Sequence, residues 1–271
     1  RIYVIEMIHI SGLAPRRAAS IDVGERHSRR RDAGSGYTFR MKDAAPGDWL
    51  DADVEFEISA PKEGMKLFSG ASVPWEYNAS LKVPGLDPWD SYALGFKQLA
   101  DVGVEAVGDL ARNATMVFPE AIVYSILFNY RHYLEVRMKS LILKAERLLD
   151  RTRVRLPSGR KGHDLVYLWD RLRPLIEAVW PESATQDETI GAQIAEFAAV
   201  DSQSFAFRYP VSLAGDPSLP TLSGINVLQV KTVIDGIASV FEGSDTGIHE
   251  MLQTKWEVMA DARADATYAS D

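Results

Sequence analysis

The stretch FNYRHYLEVRMKSLI, residues 128–142, lies at the centre of the longest helical pattern in this 271-residue chain. Apolar residues recur there at steps of three and four, as in a helix that buries one face. The residues sharing that face are Leu127, Leu134, Met138, Leu141, Ala145 and Leu148. Because no glycine or proline follows until residue 157, the pattern predicts one long helix over residues 119–150, at the centre of a helical domain.

Polar residues interrupt this pattern on two neighbouring faces. Arg131 falls on the apolar face itself, while His132, Glu135 and Lys139 line the face beside it. An unpaired buried guanidinium is very costly, so Arg131 must reach solvent or pair with a carboxylate, and Glu135 is one turn away. Two interpretations stay open. The first is a ladder of ion pairs through Arg131, Glu135 and Lys139; the second is a ligand-binding site that includes His132.

A second polar cluster, Lys161, His163 and Asp164, opens the next predicted helix, HDLVYLWDRLRPLIEAVW. Asp164 suits a helix start because a carboxylate there complements the helix dipole. The loop RTRVRLPSGRKG favours an antiparallel helix pair, which would keep His163 far from Arg131 unless the helices slide or a dimer forms. His132 and His163 are the candidate catalytic residues, since imidazoles transfer protons near neutral pH.

The segment DSQSFAFRYP, residues 201–210, sets a further arginine among aromatic residues. As an extended strand, it would carry its aromatic rings on one side and Arg208 on the other. Arg208 would then pair with an acidic neighbour, Glu135 or Asp201. Alternatively, it would join Arg131 and His132, so that two guanidiniums hold phosphate oxygens at a ligand-binding site.

Composition limits the class of protein. With 46% hydrophobic and 25% charged residues the chain is an ordinary globular one, and its formal net charge of -8 argues against nucleic-acid binding by bulk electrostatics. The absence of cysteine excludes disulfides and thiolate metal sites and fits a reducing cytoplasm. The most apolar segment, AIVYSILFNY, is too short to span a membrane, so no membrane contact is expected. No pattern indicates a metal or another cofactor.

The chain is predicted to be mainly α, and α+β overall, in three regions. Residues 1–85 form an irregular or β-rich region with short strands near 2–10, 37–41, 54–58 and 81–83. Residues 86–262 form a helical bundle, and residues 263–271 form a flexible tail. Within the first region, the basic residues from Arg16 to Arg31 form either a phosphate-binding cluster or a solvated loop.

Five helices are predicted in the bundle. They cover residues 88–112, 119–150, 163–180, 189–200 and 225–261, and the stretch EGSDTG at 242–247 is expected to interrupt the last one. The apolar residues expected to form the amphipathic face of the first helix are Tyr92, Phe96, Leu99, Val102, Val104 and Val107.

Four segments resemble the HEPN superfamily, the helical bundles of prokaryotic toxin and defence systems. They are GFKQLADVGVEAV, ILFNYRHYLEVRMKSLI, GHDLVYLWDRLRPLIEAVWP and IAEFAAVDSQSFAFRYPV, and together they extend over about residues 88–211. They look most like a group of uncharacterised bacterial HEPN-like proteins. The resemblance implies an antiparallel helical bundle, and it implies that the chain pairs as a homodimer or acts with a nucleotidyltransferase partner.

Many HEPN proteins are metal-independent ribonucleases whose signature is an arginine and a histidine separated by four to six residues. None of the five histidines here, at positions 9, 27, 132, 163 and 249, has an arginine at that spacing upstream. The resemblance therefore favours a binding or partner module that recognises a nucleotide, RNA or a protein. The alternatives are a metal-independent ribonuclease with an atypical arginine and histidine site, and a non-catalytic structural homodimer.

Overall fold

The computed structural model describes residues 21–25, 36–41, 56–59, 64, 67, 77–81, 84–113, 119–151, 155–181 and 184–268. The chain divides into two compact units, residues 1–81 and residues 82–271. Helices dominate the described residues, so the predicted mainly α fold is confirmed.

The first unit contains a three-stranded antiparallel sheet. Its strands are β1 (Ile21–Glu25), β2 (Gly36–Met41) and β3 (Phe56–Ser59), hydrogen-bonded in that order. The strands β2 and β3 coincide with the predicted strands near 37–41 and 54–58. In contrast, β1 lies within the segment from Arg16 to Arg31 that is interpreted as a loop or a phosphate-binding cluster. The basic residues of that segment, and the strand predicted near 2–10, lie outside the described residues. Leu81 lies in an exposed bend rather than in a strand.

The second unit is a bundle of five helices within its described residues. They are α1 (Pro88–Asn113), α2 (Pro119–Leu148), α3 (Leu165–Val179), α4 (Ala184–Val200) and α5 (Val227–Tyr268), with a 3-10 turn at Gly159–Gly162. The bounds of α1, α2 and α3 are close to the predicted ones, and α3 continues through Pro174. Helix α4 begins at Ala184 rather than near Thr189.

Helix α2 forms the centre of the bundle, where it packs against α1, α3 and α5. The predicted apolar face is confirmed as core, since Leu127, Leu134, Met138 and Leu141 are at most 1% exposed. Between residues 126 and 146 most side chains of α2 are buried whatever direction they point. The polar residues of this helix therefore need partners inside the protein.

Helix α1 lies antiparallel to α2. Near its start, Asp90 accepts a hydrogen bond from Arg137 at 2.7 Å, and farther along, Asp101 accepts one from the hydroxyl of Tyr130 at 2.7 Å. Later residues of α1 thus contact earlier residues of α2. An antiparallel pair is what the short connection between these two helices favours.

The outer face of α1 is more apolar than predicted. Ala93 and Ala100 are buried, but Tyr92, Leu99 and Val102 are 61–66% exposed, although the helical spacing predicts that they pack inward. The reason is that α1 lies at the edge of the bundle. It packs mainly against α2 and, over a smaller area, against α5. The apolar stripe of α1 is therefore wider than the surface that covers it.

Helix α5 is continuous, so the interruption predicted at EGSDTG is wrong. The polar residues of this stretch have partners: Asp245 accepts a hydrogen bond from Lys144 at 2.7 Å, and buried Ser244 donates to a carbonyl one turn earlier. Gly247 lets Trp180 approach, since a Cβ atom there would lie 2.7 Å from the indole. Tertiary contacts thus compensate for weak helix propensity. The helix also extends to Tyr268, into the predicted tail at 263–271.

Candidate functional site

Arg131 is fully buried and joins three segments of the chain. Its Nε donates to the backbone oxygen of Asp201 at 3.0 Å, Nη1 donates to Oε2 of Glu135 at 3.0 Å, and Nη2 donates to the backbone oxygen of His163 at 2.5 Å. The carboxylate of Asp201 lies 3.4 Å from Nε. Every guanidinium nitrogen thus has an acceptor within the chain, and because the side chain is fully buried, Arg131 supports the fold instead of contacting a ligand.

Glu135 is the carboxylate at the centre of this network and is 1% exposed. Besides Arg131, it accepts a hydrogen bond from Lys139 at 2.7 Å and contacts Nδ1 of His163 at 3.0 Å. Burial alone would raise its pKa, but the hydrogen bonds and charges of Lys139, His163 and Arg131 outweigh burial and hold the pKa of Glu135 below its usual range. Glu135 is therefore an ionised acceptor at neutral pH.

His163 is the exposed member of the network, with 52% of its side chain accessible. Because an ionised carboxylate only accepts hydrogen bonds, the Nδ1 atom of His163 carries the proton that it shares with Glu135. The other ring nitrogen, Nε2, is then an acceptor in the neutral imidazole. An imidazole oriented in this way by a buried carboxylate is chemically suited to bind or transfer a proton.

The antiparallel pairing expected of α2 and α3 is wrong, and with it the distance expected between His163 and Arg131. His163, which directly precedes the N-cap of α3, contacts Arg131 and Glu135, so α3 begins near the middle of α2 rather than at its end. Glu135 contacts His163, and farther along both helices Glu146 contacts Arg171 at 2.8 Å, so the two helices run in the same direction. His163 thus reaches Arg131 within one chain, and a dimer is not needed for this contact.

The segment after α4 folds into successive turns, so the extended conformation expected for residues 201–210 is wrong. Oδ1 of buried Asp201 accepts the backbone N–H groups of Phe205 at 2.7 Å and Ala206 at 3.1 Å. Ser204 adopts a positive φ of 58° in the same turn. The carboxylate of Asp201 thus accepts hydrogen bonds from two backbone N–H groups of the turn, as aspartate commonly does. Its backbone oxygen meanwhile binds Arg131.

Arg208 is exposed and lies on aromatic rings instead of pairing with Glu135 or Asp201. Its Nε donates to the backbone oxygen of Ser204, and its guanidinium lies 5.8 Å from the ring centre of Phe128 and 5.6 Å from that of Tyr209. Both distances are within the range of cation–π attraction. The rings orient Arg208 while its terminal nitrogens make no hydrogen bond within the described part of the chain.

His132 lies between two aromatic rings on the surface beside the network. It stacks on Phe128 at 5.6 Å with an interplanar angle of 11°, and it meets the ring of Phe96 edge-on at 4.4 Å. Burial lowers its pKa, and the charges of Lys139 and Arg131 lower it further against the opposing effect of Glu135. His132 is therefore neutral at physiological pH and packs as an aromatic side chain.

The structure thus separates the predicted site residues into two groups. Arg131, Glu135, Lys139 and His163 meet in one network, whereas the remaining two, His132 and Arg208, lie on the adjoining aromatic surface. The sequence predicts Asp201 as a possible partner of Arg208, yet in the structure it binds Arg131. The signal that indicates this role is its position directly after a helix end, where a carboxylate commonly bonds nearby N–H groups.

Concave surfaces lie elsewhere in the bundle. A groove of about 560 Å³ between α1 and α5 is lined in part by Val104, Val107, Val227 and Lys231, and a smaller one of about 190 Å³ includes Trp89. Neither is lined by the Arg131 network. Among the described residues, no group of three or more His, Asp or Glu side chains is placed to hold a metal ion.

Fold and site together define the class: a mainly α bundle whose central polar cluster is a buried ion-pair network with one accessible imidazole. No protein-family model, curated protein or solved structure matches the chain. None of the helices in the described residues has the length and apolar character needed to cross a membrane.

Proposed function

We propose that the helical unit is a HEPN-like binding module of toxin or defence type that recognises a phosphate-bearing ligand, a nucleotide or RNA. The ligand would contact the surface formed by His132, His163 and Arg208. In this proposal Arg131, Glu135 and Lys139, which the sequence suggests as ligand contacts, act from inside by positioning that surface.

The observation that carries the proposal is the setting of Arg208. Its guanidinium is exposed, oriented by Phe128 and Tyr209, and uses only Nε within the described residues. Two terminal nitrogens on a planar group match the geometry of a phosphate, which a guanidinium binds with two parallel hydrogen bonds. An arginine that is held in place loses less entropy on binding than a mobile one.

His163 extends this surface along α2. Arg208 lies over Phe128, and His163 contacts Glu135. These two residues of α2 are about 10 Å apart along the helix axis. Lys161, which is exposed above the ring of Tyr167, adds a positive charge close to His163 in sequence. A local basic surface of this kind is compatible with an acidic protein, because phosphate recognition depends on nearby charges.

The test measures binding of ATP and of a fluorescein-labelled oligouridylate dodecamer to the full chain. Arg208→Gln should weaken both by about tenfold or more, the loss expected for one charge-assisted contact. Arg173→Gln is the matched control, because Arg173 is an exposed arginine on α3 whose removal changes the net charge equally. Affinity should also fall as salt rises. Equal affinities in the two variants, or binding of neither probe, would refute the proposal, and binding of neither would point to a protein partner.

A metal-independent ribonuclease is the second candidate, and the contact between Glu135 and His163 favours it. A histidine whose Nδ1 bonds a buried carboxylate and whose Nε2 is accessible resembles the oriented base of hydrolytic enzymes. In that case His163 would act as general acid or base, an effect of about 100- to 10,000-fold on rate.

Labelled RNA incubated with the full chain in EDTA distinguishes the two candidates. The enzyme hypothesis expects cleavage that is lost in His163→Ala and retained in His249→Ala, which removes an exposed histidine on α5. Intact RNA with the unmodified chain excludes that hypothesis and leaves the binding proposal unaffected.

A further inference from the structure

A continuous row of five rings and one guanidinium crosses the surface of the bundle from α1 over α2 to the turns after α4. We call it the aromatic track, and its members in spatial order are Tyr92, Phe96, His132, Phe128, Arg208 and Tyr209. Neighbouring members lie 4.4–6.5 Å apart, measured between ring centres or from guanidinium carbon to ring centre. These separations are those of direct aromatic and cation–π contact.

Exposure changes along the track. Tyr92 at one end is 66% exposed and Tyr209 at the other end is 49% exposed. The rings between them are half-buried, whereas the two tyrosines are partly accessible to solvent, Tyr209 with its ring also against that of Phe205 at 4.7 Å. Arg208, the one charged member of the track at neutral pH, lies next to Tyr209.

Neither tyrosine ring belongs to the buried core. Tyr92 belongs to the outer face of α1, and Tyr209 lies in the turns of residues 201–210, where Asp201 and Arg131 already fix the backbone. Exposed aromatic side chains next to an oriented guanidinium match the way unpaired nucleobases are bound. Bases stack on the rings, and the cation neutralises the phosphates between them.

We propose that the aromatic track is a stacking surface for unpaired nucleobases, so that the ligand is single-stranded nucleic acid. Bases stack on Tyr92 and Tyr209, and Arg208 binds the connecting backbone. This inference rests on the proposed function, because it assigns a ligand class to the same phosphate-binding surface. Stacking tolerates every base, so the track would bind with little sequence preference.

The test compares the labelled oligouridylate dodecamer with an abasic deoxyribose-phosphate oligomer of the same length, both bound to the full chain and followed by fluorescence anisotropy. The base-containing oligomer should bind more tightly, by about 5- to 150-fold for each stacked base. Tyr92→Ala and Tyr209→Ala should each weaken its binding by a similar factor. The matching phenylalanine variants, which keep the ring, should stay within about twofold of the original affinity.

Trp256→Ala is the control for removing an exposed aromatic residue. Trp256 is 51% exposed and lies on α5. Its neighbour Lys255 donates a hydrogen bond to the backbone oxygen of Leu148 at the end of α2. The Trp256→Ala variant should leave affinity unchanged. If the abasic oligomer binds as tightly as the dodecamer, or if the alanine variants keep full affinity, the stacking surface is refuted while phosphate binding stands. If the dodecamer, the abasic oligomer and ATP all fail to bind, both proposals fall. The oligomer comparison uses the unmodified chain, so it decides the matter even where a variant folds poorly.

Discussion

Replacing Arg131 by methionine tests whether the central network supports the fold. The substitution keeps an unbranched apolar stem, which ends near the position of Nε, but removes hydrogen bonds to Glu135, His163 and Asp201. Those three partners belong to α2, to the segment before α3 and to the segment after α4. One guanidinium thus holds three parts of the bundle together, and no other side chain replaces it in the geometry described.

The structure sets the size of the expected effect. Removing one partner of a buried ion pair costs about 3–5 kcal/mol. Glu135 would keep Lys139 and His163, which lowers the cost, but the buried carbonyl of Asp201 and the partly buried carbonyl of His163 would lose their donor at about 1 kcal/mol each. We expect a net loss of about 3–5 kcal/mol. At about 2–4 °C per kcal/mol for a unit of this size, the melting temperature should fall by roughly 6–20 °C.

Urea and thermal unfolding followed by circular dichroism measure this loss. Arg131→Lys should recover only part of the stability, because a single ammonium group cannot reach three segments as a planar guanidinium does. Arg173→Met, which removes an exposed arginine on α3, should change stability by no more than about 0.5 kcal/mol. If Arg131→Met lies within about 1 kcal/mol of the unmodified chain, the supporting role assigned to Arg131 is wrong.

Three further substitutions test separate features by the same unfolding measurements. Gly247→Ala should cost about 1–3 kcal/mol because its Cβ would lie 2.7 Å from Trp180, whereas Gly236→Ala in the same helix has open space and should stabilise by up to about 1 kcal/mol; equal effects would contradict the packing. Asp164→Ala should cost about 1 kcal/mol by removing the N-cap of α3, and Asp164→Asn should largely preserve it. The folded-state pKa of His132 is below its usual 6.5, so its contribution to stability is present above about pH 6.5 and is lost as the pH falls. His132→Phe should flatten that part of the pH profile of the free energy of unfolding. An unchanged profile would refute the lowered pKa of His132.

The helices themselves could be predicted from local pattern. Steps of three and four around Leu134 and Met138 identify the core face of α2, and Pro88 and Pro119 mark where α1 and α2 begin. Such signals depend on neighbours within a few positions, so they are readable without a fold. They fail where tertiary contacts outweigh propensity, as at Asp245, whose bond to Lys144 carries α5 through a stretch that looks like a loop.

The polar site could be predicted only in part. The spacing correctly predicts that Arg131 and Lys139 each contact Glu135, because residues four apart on a helix are neighbours. The relative direction of α2 and α3 is not encoded in any short pattern, so the local pattern misplaces His163 far from Arg131. Likewise, whether residues 201–210 extend or turn depends on Asp201 being buried, which only the packed structure decides.

By itself, the sequence determined that this protein is mainly helical, with one long central helix that carries an unusual set of charges in its core. Helical periodicity and the cost of an unpaired buried charge are local and general, so they suffice for that much. The tertiary structure decided which of those charges are internal supports and which groups reach solvent. Arg131 is enclosed by partners that include backbone oxygens from distant segments, while His163 and Arg208 stay exposed, because chain segments far apart in sequence return to neighbouring turns of α2.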